Sequence, residues 1–78
     1  MSIVDRYGPF KEFKQDASLV SVRLKSGLVF NRILLLFPNE IIGMKDYKNL
    51  PFKINEILEI FQDDVDLRSR SEKKWLFS

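Results

Sequence analysis

Residues 19–37 read LVSVRLKSGLVFNRILLLF, and this stretch decides the fold. From Leu19, the apolar Val20, Val22 and Leu24 alternate with Ser21, Arg23 and Lys25. That is the period-two pattern of a half-buried strand. Ser26-Gly27 supplies a two-residue turn, glycine tolerating the positive φ such turns require. A second strand opens with Leu28-Val29-Phe30, meets Asn31-Arg32 and continues as Ile33–Phe37. Pro38, which has no N–H to donate, ends the ladder.

Register is the physical problem in this hairpin. A two-residue turn pairs Lys25 with Leu28 and Val20 with Ile33, but it also sets Val22 opposite Asn31, a polar side chain on the core face. Slipping by one residue sets Val22 opposite Phe30 and turns Arg32 inward, since every side chain changes face. A β-bulge at Asn31-Arg32 resolves the conflict: Phe30 and Ile33 then both reach the core, and the strand bends as a small barrel requires. Beyond the bulge, Ile33–Phe37 is apolar on both faces, so something must cover the second face. The candidates are the chain's own Phe10 and Phe13, its Trp75 and Phe77, or a partner. Left bare, the strand invites edge-to-edge association.

Outward from the hairpin, Gly8-Pro9 breaks regular structure. In the following PFKEFK, the three-residue spacing of Phe10 and Phe13 favours a helical turn, with a short bulged strand as the alternative. Glu40–Met44 (EIIGM) reads as a third strand and 45–53 (KDYKNLPFK) as a loop. Ile54–Gln62 fits either period; its β-branched and aromatic residues favour a strand from Ile57, preceded by a single turn at Asn55-Glu56. Asp63-Asp64 can cap a short helix running to Arg70. Trp75-Leu76-Phe77 is too apolar to dangle and is expected on the sheet.

At 78 residues there is room for one domain, and a chain this short buries only roughly 60–65% of its unfolded surface. Seven Phe, two Tyr and one Trp supply a dense core and argue against disorder. With no cysteine, thiolate chemistry is excluded; with no histidine, so is the commonest general base at neutral pH. No basic-then-apolar leader is visible, and the longest apolar run, Ile33–Phe37, is far below the ~20 residues of a membrane span. A cytoplasmic location and no membrane partner are the expectations.

The net charge of +2 sits wholly in residues 1–27. Such a surplus is a small electrostatic footprint for nucleic acid.

The segment VSVRLKSGLVFNRIL, 20–34, resembles the first half of the Sm-like motif, in which a V-x-V-x-L strand meets a Lys/Asn-Gly turn and a bent second strand. The resemblance implies a small bent-sheet barrel; Sm-like proteins form rings and bind RNA. Arg32 stands where that family usually has glycine, and Pro38 and Ile42 stand where it places a base-holding Asp and Asn. The family's second motif, with an Arg-Gly pair, is not found. The likeness therefore speaks for the scaffold more than for RNA binding. The layout, with PNEII, LPF and EILEI, also looks like that of short bacterial proteins of unassigned activity.

The expected fold is mainly β, with α+β as the variant. It is a strongly bent antiparallel sheet or partly open SH3-like or Sm-like barrel of four to five strands, with short helical segments near the termini. Asp63, Asp64 and Asp66 form the carboxylate cluster, but they lack the spacing of a calcium loop and read as a solvated helix cap. No metal, no cofactor and no enzyme activity are expected. The leading function is a protein-interaction or self-associating module using Ile33, Leu35, Phe37, Tyr47, Phe52 and Trp75. The alternative is nucleic-acid binding. Arg23, Lys25 and Arg32 would serve it on the hairpin; Arg68, Arg70, Lys73 and Lys74 would serve it in the tail, with Trp75 to stack on a base. An Arg68/Glu72 helix pair is the ordinary reading of the tail charges.

Overall fold

A computed structural model of the chain describes residues 2–71 and 73–77. Its centre is the expected hairpin, β2 (Ala17–Leu24) against β3 (Val29–Leu36). Val22 pairs with Phe30 and Val20 with Ile33, so Asn31 and Arg32 together oppose Ser21. The bulge lies where the register conflict places it, and Arg32 takes φ 54°, the left-handed conformation that lets a strand carry an extra residue. The turn is a correction: it has three residues, Lys25 to Gly27, not two. The Gly27 N–H donates to the Leu24 carbonyl at 2.9 Å, the Leu24 N–H donates to the Leu28 carbonyl at 2.8 Å, and Gly27 has φ 97°. The third residue sets Val22 opposite Phe30 at the turn, and the bulge restores Val20 to Ile33.

β4 (Glu40–Met44) pairs with the far edge of β3, while two strands share the near edge of β2. β1 (Glu12–Lys14) takes Ala17 and Ser18; β5 (Ile57–Phe61) takes Ser21 to Leu24. Between them, Gln62 acts as a rung. Its Nε2 donates to the Leu19 and Lys11 carbonyls, both at 2.9 Å, and its Oε1 accepts from the Lys11 N–H at 2.7 Å. The result is a five-stranded antiparallel sheet, not closed into a barrel, with two short helices.

The favoured helical turn at Phe10–Phe13 is overturned, because the backbone groups of β2 draw this segment into an edge strand. The pairing shifts register between Glu12 and Lys14, as in the bulged-strand alternative. The N-terminal helix lies earlier, α1 (Ile3–Tyr7), where the Ser2 Oγ accepts from the Asp5 N–H at 3.1 Å. Residues 54–62 resolve as expected: a 3₁₀ turn over Ile54–Glu56, then β5. α2 (Asp64–Arg68) is capped by Asp63 and ends two residues before Arg70.

Alternation along β2 builds two apolar layers. Val20, Val22 and Leu24 face inward with Ile33, Leu35, Met44, Phe52 and Ile60. Ala17 and Leu19 face the other way with Leu34 and Trp75, flanked by Phe13 and Ile42. On the second face of Ile33–Phe37, Leu34 is thus covered by the chain itself, with Trp75 5% exposed, while Leu36 stays half-buried. The C-terminal strap reaches it by crossing β4: Gly43 forms a β-bridge with Leu76, and the Phe77 N–H donates to the Ile42 carbonyl at 3.0 Å. A Cβ at Gly43 would collide with the Trp75 carbonyl oxygen, so a larger residue here must displace the strap. No helix is long and apolar enough to cross a membrane among the described residues.

Candidate functional site

Four of the six residues read as an interaction surface are interior. Ile33, Leu35, Phe52 and Trp75 are at most 6% exposed, and no partner can reach them in this fold. The apolar run is two-sided because it serves two cores. Phe37 and Tyr47 are exposed, and the Tyr47 ring meets Phe30 edge-on at 6.0 Å.

The arginines among the cations read as a nucleic-acid surface are each engaged. Arg23 pairs with Glu59 at 3.2 Å and lies 5.5 Å from the Phe61 ring centroid. Arg32 Nε donates to Ser69 Oγ at 3.2 Å, Arg68 Nε to the Asp64 carbonyl at 3.2 Å, and Arg70 Nη1 to the Phe13 carbonyl at 3.4 Å. Lys25 and Lys74 are exposed; the side chain of Lys73 and the expected partner Glu72 lie outside the described residues. Trp75 is buried and presents no face to a base.

The carboxylate cluster departs from a solvated cap. Asp63 and Asp66 do cap α2 reciprocally, each accepting the other's N–H at 3.1 Å. Asp66, however, is buried beneath the β3 bulge. The bulge takes the Arg32 N–H out of the ladder, and Asp66 Oδ1 accepts it at 2.9 Å. Asp66 Oδ2 accepts from Ser21 Oγ at 2.5 Å, and Asn31 Nδ2 donates to Ser21 Oγ at 2.7 Å and Asp63 Oδ2 at 3.0 Å. Burial raises the Asp66 carboxyl above its ordinary value. The bonds from Ser21, Arg32 and Asp63 oppose that rise, and the Asp63 charge adds to it. Ser21 is fully buried, so its contact with a carboxylate faces no substrate. The cluster fastens α2 to the bulge. Among the described residues, no group of three His, Cys, Asp or Glu side chains is placed to hold a metal ion.

Beside smaller concavities, one along α2 and one over Leu34 and Leu36, a groove of about 520 Å³ opens between α1 and β5. Ile3, Arg6 and Tyr7 line it from α1, Leu58 and Ile60 from β5, and Lys25 from the hairpin turn. It exists because β5 is bulged: Glu59 pairs with Arg23 and Ile57 with Leu24, so Leu58 is the extra residue and stands 56% exposed. Ile54, in the preceding turn, is 58% exposed and lines the same groove. Apart from Lys25, none of these groove residues stands out in the sequence as a candidate site. The available signal is Ile57-Leu58, two adjacent apolar residues that a regular period-two strand cannot both bury.

No protein-family model matches the chain, and comparison with curated proteins and with solved structures likewise finds no match.

Proposed function

We propose that this protein is a non-enzymatic interaction module that docks a protein partner in the groove between α1 and β5. The observation that carries this reading is the pairing of exposed Ile54 and Leu58 beside an open apolar groove. Large apolar side chains held together in a concavity favour a binding role over a chance exposure. A catalytic role draws no support from a chain without histidine or cysteine in which Ser21, bonded to Asp66, is fully buried. Nucleic-acid binding has less support than docking, since Arg23 is spent on Glu59 and Trp75 is interior. The likeness of the hairpin to Sm-like barrels fits a scaffold of this kind.

A photo-crosslinking residue placed at Leu58, and as a control at Leu67 on exposed α2, tests the proposal in cells. A discrete adduct at 58 that the control lacks, and that Ile54→Asp abolishes, is the expected result. Equal labelling at the two positions, or none at 58, refutes it.

A further inference from the structure

β5 is hydrogen-bonded along one edge only: among the described residues its strand partner is β2. An unpaired strand edge beside open space is a template for an added strand. Its side chains are apolar except Glu59, and Leu58, with Ile54 of the preceding turn, is more than half exposed. The charged groups lining the groove are Arg6 and Lys25, and no carboxylate lines it. The neighbouring acids are engaged elsewhere: Glu59 pairs with Arg23 at 3.2 Å, Asp5 accepts from the Ser2 N–H at 3.4 Å and Glu56 from the Lys53 N–H at 3.2 Å. Neither Arg6 nor Lys25 is in an ion pair among the described residues. A second copy is a poor occupant, because a two-fold pairing of this groove with itself gathers four cations at one interface. A partner of opposite charge gains both steering and register.

Resting on the docking role proposed above, we infer that the groove takes an extended acidic segment of a partner protein, added as a strand along the free edge of β5. Its apolar side chains pack on Ile54 and Leu58, and a carboxylate side chain meets Arg6 and Lys25.

Amide NMR spectra of the full chain, titrated with three capped hexapeptides, test this. The probes are alternating valine–glutamate, alternating valine–lysine, and the acidic probe with a central proline. The acidic probe should shift residues 3–7 and 57–61 and bind more weakly as salt rises, with the lysine and proline probes roughly tenfold weaker. Arg6→Gln combined with Lys25→Gln should weaken the acidic probe while leaving the remaining spectrum unchanged. Equal binding of acidic and basic probes, shifts confined to α2 or the hairpin turn, or a dimer in sedimentation that Leu58→Glu dissolves would each overturn the inference. If the lysine probe prefers this same groove, the acidic partner is wrong and the docking role stands. If no probe reaches the groove, strand addition is refuted, and the Leu58 crosslinker decides separately whether docking falls with it.

Discussion

Asp66→Asn is the substitution that bears most directly on what holds α2 to the sheet. The native carboxylate accepts three hydrogen bonds, from Ser21 Oγ and the amides of Arg32 and Asp63. Asparagine keeps one acceptor oxygen and sets an NH₂ group against at least one of those donors. One buried donor left unmatched costs about 1–3 kcal/mol. A second, opposing effect depends on pH. Burial raises the native pKa of Asp66 above 3.8, so between that value and the raised one the folded state binds more protons than the unfolded. Asp66 therefore contributes stability that is fully present below the unfolded pKa and is lost as pH rises through the folded value. The asparagine variant has no such dependence at this position. The wild type should exceed Asp66→Asn in stability by the widest margin in acid, and the margin should shrink as pH climbs before levelling off. Urea unfolding of both proteins from about pH 3 to pH 7, followed by Trp75 fluorescence, measures it. The difference between the two cancels the carboxylates they share. A margin that widens with pH would show that the buried charge is stabilising on balance, and would refute this account of the site.

Three further outcomes follow from the packing. Gly43→Ala should lift the strap from β4, with a loss of about 3–5 kcal/mol, as when a large buried aromatic is removed, and a red-shifted Trp75 emission; unchanged emission would mean that the strap can be re-routed. Gln62→Leu removes the rung between β1 and β5 and should cost about 1–3 kcal/mol, with hydrogen exchange accelerated at Lys11 before any other strand. Arg23→Ala should change stability by less than about 1 kcal/mol, because its ion pair with Glu59 is nearly half exposed on both sides; a larger loss would credit the Phe61 ring contact instead.

Much of the sheet is legible because its residues are under conflicting demands that a short calculation exposes. Val22 cannot face Asn31, nor Val20 Arg32, so a bulge is required and its position follows. β5 is legible from β-branched residues that outweigh an equally good helical spacing. The turn length is not, because Ser26-Gly27 suits two- and three-residue loops alike, and only the bulge further along decides between them. β1 is misread because the helical spacing of Phe10 and Phe13 is local, whereas the ladder they join is made available by Ala17 and Ser18. The burial of Asp66 is hidden for a related reason: a capping carboxylate and a carboxylate that serves a bulge 34 residues away look identical in sequence. The burial of Ile33 and Leu35 is hidden because an apolar run can be covered by the chain's own aromatics or by a partner, and its residues do not say which. Two internal layers take up Ile33, Leu34 and Leu35, while Phe37 of the run stays exposed and other exposed apolar residues, Ile54 and Leu58 among them, lie in less conspicuous segments.

The strap over Gly43 has a consequence for the order in which this protein can be made. β2, β3 and β4 are synthesised before Trp75, and until it follows, the outward side of Ala17, Leu19 and Leu34 has only Phe13 and Ile42 against it. The nascent chain therefore passes through an interval in which a finished hairpin displays a sticky sheet face. The interval closes when residues 75–77 settle against β4.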